Sequence, residues 1–144
     1  MLIIPISVEC QATGIGATPS QFVVTIDEGG TSHDTIYIIN TGDTPTEYNV
    51  YTDVNYSSWV NIEPNNFTLA PNTNIRVNIT FNVPLDTNGS YNFYIYIEGY
   101  SAGTNNNLGA GLKIPVTIHI QDTCDNDLLD NSSLCTWVWP ILII

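Results

Sequence analysis

The amino-acid sequence predicts an all-β protein, an antiparallel β-sandwich of about seven strands. Two long segments, residues 74–82 and 91–98, alternate apolar with polar side chains, which is the period of a strand with one buried face. Turn-forming residues recur about every 8–12 residues, a spacing typical of sandwiches. No long segment keeps the 3.6-residue period of an amphipathic helix. These patterns favour two packed sheets over a helical fold.

The two long segments are predicted to be strands that face a shared core. Residues 84–89 (PLDTNG) lie between them and supply turn chemistry. Each strand turns one apolar face inward, and the rest of the chain has to cover that face. The predicted inward positions are Ile75, Val77, Ile79, Phe81, Tyr91, Phe93, Ile95 and Ile97.

The other predicted strands are shorter. In the last of them Pro115 removes a backbone donor, which predicts an edge strand or a bulge. Trp59 is predicted to plug the core between the sheets, and a ligand platform is the alternative. These strands are residues 21–26, 35–40, 47–53, 59–62, a fragment at 67–69, and 112–120.

Both ends differ in composition from the predicted sandwich at residues 21–121. Residues 1–12 are interpreted as a truncated signal peptide or as an apolar strand, followed by a linker at 13–20. An acidic polar spacer at 122–136 precedes an apolar tail at 137–144. That tail would span about 12 Å as a helix, too little for a bilayer core of about 30 Å. It is interpreted as the start of a longer membrane anchor, an interfacial peg or an intermolecular strand.

Charge is scarce and almost entirely negative. Lys and Arg total 2 against 14 acidic residues, which gives a formal net charge of −12. Two cations cannot build the basic patch that nucleic-acid binding needs, and they disfavour adsorption to an anionic membrane surface. Polarity comes from Asn, Thr, Ser and Gly instead, which is typical of exported β proteins. The sequence predicts no cofactor.

The turns and core positions between residues 16 and 120 follow a recognisable order. They are residues 19–20 (PS), 27–30 (DEGG), 40–42 (NTG), 59–64 (WVNIEP), 67–71 (FTLAP), 83–84 (VP) and 89–91 (GSY). This order resembles immunoglobulin-like domains of archaeal and bacterial cell-surface proteins. The resemblance implies an immunoglobulin-like β-sandwich far more than it implies an activity. Such domains serve as spacers, adhesins or appendages of enzymes.

Five asparagines lie in the N-x-[ST] sequence that accepts N-linked sugar, where chance alone predicts about three in a chain of this composition. Asn78 is expected on the solvent face of its strand and Asn88 in a loop. Export by a host with the machinery would make them glycosylation sites. The five are Asn55, Asn66, Asn78, Asn88 and Asn131.

The three cysteines allow at most one internal disulfide. Cys124 and Cys135 could close a small loop in the polar spacer, and free thiols are the alternative. The same spacer carries oxygen donors that suit calcium, but the EF-hand pattern fails, so a solvated spacer is favoured over a metal site. The candidate calcium ligands are Asp125, Asp127 and Asp130.

No catalytic residues are predicted. His33 precedes Asp34 in a predicted turn, and His119 lies on the outer face of the last strand, with no nucleophile motif in the chain. Tyr94 and Tyr96 alternate on the face opposite the core, and with nearby tyrosines they could form a stripe that stacks against sugar rings. Cross-strand packing is the alternative. The nearby tyrosines are Tyr51, Tyr56, Tyr91 and Tyr100.

The sequence therefore predicts a non-catalytic extracellular structural or adhesive domain of a cell-surface or envelope protein, with a filament subunit as one version. The alternative is a carbohydrate-binding module that uses the exposed tyrosines. Expected partners are other surface proteins, copies of the same chain, and glycans. Contact with a membrane is expected only through the C-terminal tail.

Overall fold

The computed structural model describes residues 12–103 and 109–122, which fold into two β-sheets packed face to face. The predicted all-β sandwich is confirmed, with nine strands among the described residues in place of about seven. One short 3₁₀ turn, η1, spans Val54–Tyr56. The strands are β1 Gly16–Thr18, β2 Phe22–Asp27, β3 Thr31–Ile39, β4 Thr46–Thr52, β5 Val60–Glu63, β6 Asn66–Leu69, β7 Asn74–Asn82, β8 Gly89–Ser101 and β9 Gly109–Gln121.

Sheet A has the strand order β1-β3-β7-β5, and sheet B has the order β2-β9-β8-β4-β6. Neighbouring strands are antiparallel, except that β2 runs parallel to β9. The chain forms β1 beside β3 in sheet A, passes Pro19, and then crosses to sheet B, where it forms β2 beside β9. This crossing makes the β2–β9 pair parallel. The expectation of purely antiparallel sheets is therefore wrong at this one strand.

The core lies between the inward faces of the two sheets, and β7 and β8 contribute its centre from opposite sides. The alternation predicted for these two strands is confirmed, because their inward side chains are buried and their outward ones are largely exposed. Ile75 and Tyr91, at the strand ends, are half-buried. The fully buried members from these strands are Val77, Ile79, Phe81, Phe93, Ile95 and Ile97.

Two local expectations are corrected. β1 lies inside the segment expected to be a linker, because Ile15 and Ala17 pack against the core. His33 belongs to β3 and not to a turn, since β3 begins at Thr31 and pairs with β7 along its whole length. The His33 ring is hydrogen-bonded to Thr80 across the two strands, with 3.1 Å between Nδ1 and Oγ1.

Trp59 is half-buried and closes one end of the sandwich. Its ring meets the rings of Tyr56 and Tyr91 edge-on, with centroids 5.5 and 4.9 Å away. Tyr56 in turn stacks on Phe93 at 4.5 Å. Trp59 therefore serves the core, as predicted, although it sits at the core's margin.

Asn40 fixes the predicted turn at residues 40–42. It is completely buried, and its Nδ2 donates to the carbonyl oxygens of Thr44 and Leu69, while its Oδ1 accepts from the amide of Gly42. These hydrogen bonds offset the cost of removing the amide from water and hold the turn in one geometry.

Candidate functional site: a strand edge beside a tyrosine face

One half of β9 has a partner on only one side. β8 pairs with β9 from Gly109 to Ile120, but β2 pairs with it only from Val116 onward. Among the described residues, no strand pairs with the other side of the segment 109–115, which we call the β9 edge. The segment is about 23 Å long at the usual rise of a strand. It therefore presents a row of backbone donors and acceptors of the kind that recruits another strand.

Pro115 lies at the boundary of this edge. It is the last residue before β2 joins, so a residue without a backbone N–H occupies a position that is locally at an edge. The prediction of an edge strand is wrong for β9 as a whole, which lies between β2 and β8, although Pro115 comes just before the part that β2 covers. In the other half, residues 116–120 lie between β8 and β2.

The inward side of the β9 edge is apolar and incompletely covered. Ala110 and Leu112 are half-buried, whereas Ile114, closer to β2, is 1% exposed. Ile15, just before β1, and Ala17, on β1 of the facing sheet, are half-buried as well. A strand added to this edge would bring inward side chains onto these residues and extend the core.

The outward side of the same region carries a cluster of tyrosines, which we call the tyrosine face: Tyr51, Tyr94, Tyr96 and Tyr100. Tyr51 and Tyr96 are direct cross-strand partners and their rings stack, with centroids 5.2 Å apart and planes 18° from parallel. Tyr94 is 44% exposed and lies 6.2 Å from the Tyr96 ring. Lys113 places its Nζ 5.6 Å from the Tyr94 ring and 5.7 Å from the Tyr96 ring.

Two carboxylates hold the phenols in place. Glu98 accepts hydrogen bonds from the hydroxyls of Tyr51 at 2.6 Å and Tyr100 at 2.9 Å, one on each oxygen. Asp53 accepts from the Tyr96 hydroxyl at 2.9 Å and from the Tyr94 amide at 3.0 Å. These four donors are turned toward the carboxylates. The face therefore offers a ligand ring surfaces and oxygen acceptors.

The same bonds shift the ionisation of the groups that form them. The two phenol donors stabilise the charged form of Glu98 and lower its pKa. Bonding to Glu98 raises the pKa of Tyr51 to about 12 and also raises that of Tyr100. Bonding to Asp53 raises the pKa of Tyr96. At neutral pH the face therefore combines neutral phenols with an ionised Glu98.

Two glycines leave a gap between the tyrosine face and the β9 edge. Gly111 is the cross-strand partner of Glu98, and Gly109 that of Tyr100. The Tyr100 ring leans over Gly109, so a Cβ there would lie 3.2 Å from it. A Cβ on Gly111 would meet no atom of the described residues within 4 Å. We call this open space beside Glu98 the Gly111 gap.

Only some of the tyrosines predicted to form a stripe lie close together in the structure. Tyr94 and Tyr96 lie together on the outer face of sheet B, joined by Tyr51 and Tyr100. Tyr56 and Tyr91 instead pack around Trp59 at the end of the sandwich. The β9 edge and the Gly111 gap were not predicted as a site, although Pro115 and the two glycines at alternate positions are visible in the sequence.

Each asparagine acceptor within the described residues has an exposed side chain: Asn55, Asn66, Asn78 and Asn88. The fifth acceptor, both disulfide candidates and all three calcium candidates lie outside the described residues: Asn131, Cys124, Cys135, Asp125, Asp127 and Asp130.

The two histidines lie on different sheets, and the ring of each is hydrogen-bonded to a hydroxyl side chain. His119 is exposed on the outer face of sheet B, as predicted, with 2.8 Å between its Nδ1 and the Oγ of Ser90. Within residues 12–103 and 109–122, no group of three or more His, Cys, Asp or Glu could hold a metal ion. Over the same residues, no helix has the length and apolar character to cross a bilayer.

Comparison with known proteins identifies the fold. No family model and no curated protein matches the chain. A PapD-like domain of human CEP192 is 15% identical, with a TM-score of 0.64 over 85% of this chain and 95% of that one. The Escherichia coli chaperone DraB is 15% identical, with a TM-score of 0.59 over 75% of this chain and 56% of DraB. A chain from the Salmonella enterica SafA pilin–SafB chaperone complex is 10% identical, with a TM-score of 0.61 over 78% and 57%. The fold is thus an immunoglobulin-like, PapD-like β-sandwich.

Proposed function

We propose that this chain is a non-catalytic structural or adhesive domain that acts outside the cytoplasm by pairing the β9 edge with an extended segment of another polypeptide. The single observation that carries the proposal is that one side of residues 109–115, which include half-buried Ala110 and Leu112, has no partner strand among residues 12–103 and 109–122. Backbone pairing would give affinity, and burial of inward side chains would add to it.

The similar structures support this mechanism without assigning it. One of them comes from a pilin in complex with a chaperone. At identities of 10–15%, this structural similarity is evidence for the fold alone. The functional argument rests on the β9 edge of this chain.

The edge can be tested with a synthetic peptide of about eight residues that alternates Val and Thr, followed by fluorescence anisotropy. We expect saturable binding to the full chain. Leu112→Lys should abolish it, because an incoming strand would bury the new charge. Gln121→Lys is the matched control, since it adds the same charge to the part of β9 already covered by β2. Absence of binding, or equal binding by both variants, would contradict the proposal.

The location outside the cytoplasm rests on composition and on the exposed sugar acceptors. The intact mass of the native protein and peptide mapping of its ends test it. Sugar on Asn55, Asn66, Asn78 or Asn88 would support export, because these side chains are exposed. An unmodified chain from a host that glycosylates its exported proteins would count against it.

A second candidate function is carbohydrate binding by the tyrosine face, favoured by the exposure of Tyr94 at 44% and Tyr100 at 41%. The hydroxyls of Tyr51, Tyr96 and Tyr100, however, donate to Glu98 and Asp53, so these three phenols have fewer donors to offer a sugar. A glycan array decides the matter: saturable binding lost in Tyr94→Ala would establish the candidate, and no binding would remove it.

A further inference from the structure

We propose that the Gly111 gap is a binding site for the ammonium or guanidinium group of a lysine or arginine carried by the strand that pairs with the β9 edge. This inference rests on the proposed function and specifies its partner: an extended segment with a basic side chain at an outward position. It would make Glu98 and Gly111 the determinants of partner choice.

The geometry of the sheet sets the position of the basic group. Glu98 and Gly111 are cross-strand partners in β8 and β9, and an added strand would lie one spacing beyond β9. Its outward residue would then be two strand spacings, about 9.6 Å, from Glu98. A long basic side chain on that residue, extended across β9, would bring its charged group toward the Glu98 carboxylate, which its bonds to Tyr51 and Tyr100 hold in place. It can do so because Gly111 has no side chain in the way.

The walls of the gap suit a cation. Glu98 is ionised at neutral pH, and its two phenol partners leave lone pairs on both oxygens. The Tyr100 ring, leaning over Gly109, borders one end and offers a π surface. Lys113 borders the other end, and its ammonium group is directed toward the rings of Tyr94 and Tyr96. This contact is an example of a cation bound on the same surface.

Charge complementarity selects the partner. A protein of net charge −12 attracts cationic segments, and its outward acceptors match a group that only donates. A second copy of the chain would bring only Arg76 and Lys113, both of which lie within folded strands. The apolar tail at 137–144 has no basic residue. A different protein is therefore the occupant that the gap fits.

The test uses three labelled peptides on the full chain at low ionic strength. Two are alternating Val/Thr strands of about eight residues that differ only in one central outward position, lysine in one and norleucine in the other. The third has the sequence of residues 137–144. We expect the lysine peptide to bind about three- to tenfold more tightly than the norleucine peptide, and the advantage to disappear at high salt.

Two variants locate the effect. Glu98→Gln should remove the advantage of lysine and leave the norleucine affinity unchanged, which also shows that the variant is folded. Gly111→Leu should also remove the advantage of lysine, because its side chain would fill the gap. Glu63→Gln is the control for Glu98→Gln, because it removes the same charge from an exposed position on the other sheet.

The outcomes separate the inference from the function beneath it. Equal affinity for the lysine and norleucine peptides, or an advantage that survives both Glu98→Gln and Gly111→Leu, would overturn the inference and leave edge pairing intact. Tighter binding of the 137–144 peptide would overturn it in favour of a second copy. If none of the peptides binds, the β9 edge is not a pairing site, and both proposals fail.

Discussion

The hydroxyl of Tyr48 donates a hydrogen bond of 2.6 Å to the carbonyl oxygen of Gly14. This bond joins β4, in the interior of sheet B, to the segment that enters β1 at the edge of sheet A. The Tyr48 ring is completely buried and packs 5.8 Å from the ring of Phe67. The Tyr48 side chain thus links sheet B to the segment that leads into β1 of sheet A. Sheet B is also the sheet that carries the β9 edge.

Removing that hydroxyl should cost stability. In Tyr48→Phe the ring keeps its packing, but the Gly14 carbonyl loses its partner, so we expect a loss of about 1–2 kcal/mol in the free energy of unfolding. Urea unfolding followed by fluorescence measures it. Tyr37→Phe is the matched control, because Tyr37 is 47% exposed and should change stability by less than about 0.5 kcal/mol. Equal effects of the two substitutions would contradict the role assigned to this bond.

The same residue makes stability depend on alkaline pH. Burial is the main cause that raises the pKa of Tyr48 above its ordinary value near 10, and a hydrogen bond with Thr46 opposes it. The unfolded chain therefore loses this proton first, and the stabilisation is fully present below about pH 10 and is lost as pH rises toward the folded pKa. Unfolding titrations between neutral and strongly alkaline pH should show this decline. Tyr48→Phe should decline less steeply, and an identical slope would refute the assignment.

Substitution by alanine should lower the stability of the protein at Gly99 but leave it nearly unchanged at Gly111, on the neighbouring strand. A Cβ on Gly99 would lie 2.7 Å from Cε1 of buried Tyr48, so Gly99→Ala should cost about 1–3 kcal/mol through overpacking. A Cβ on Gly111 would meet no atom of the described residues within 4 Å, so Gly111→Ala should leave stability within about 0.5 kcal/mol. Urea midpoints of the two variants compare the sites directly. A large loss in Gly111→Ala would mean that the Gly111 gap is filled.

Much of the fold follows from the period-2 pattern, because the pattern reports which side of a strand faces the core. It placed Phe93 and Ile95 inward and Tyr94 outward correctly. It could not identify the partner of β2, because a segment such as 22–27 (FVVTID) has the same apolar positions whether its neighbour is parallel or antiparallel. Partner and direction depend on how the chain crosses between sheets.

The candidate site was only half visible in the sequence for the same reason. The alternation of Tyr94 and Tyr96 predicts an outward pair, but the contribution of Tyr51 depends on its register with Tyr96 across two strands. Pro115 marks an edge locally, yet only the pairing of β2 shows that the unpaired part lies before it and not after it. The residues next to Gly111 in the sequence do not reveal the Gly111 gap, because the gap also depends on Glu98, the cross-strand partner of Gly111 in β8.

Removal of Glu98 from the tyrosine face should change the pKa values of Tyr51 and Tyr100. Its carboxylate accepts the Tyr51 hydroxyl at 2.6 Å, which is the main reason that the pKa of Tyr51 is raised to about 12. In Glu98→Ala the pKa of Tyr51 should fall toward the ordinary value near 10, and that of Tyr100 should fall too. Ring-carbon NMR shifts followed against pH measure both. Glu47→Ala is the control, because it removes an exposed carboxylate from the same sheet face. An unchanged Tyr51 pKa in Glu98→Ala would show that another group sets it.

Amide hydrogen exchange should divide β9 into two halves. Residues 116–120 lie between β8 and β2, so amides on both sides of the strand have partners and should exchange slowly. Along 109–115 only the amides directed at β8 are paired among the described residues, so we expect slow and fast exchange to alternate there. Adding a peptide that pairs with the β9 edge should slow the fast set and leave residues 116–120 unchanged. Uniform protection of 109–115 without any peptide would mean that this edge is already occupied, and the proposed pairing would then have no site.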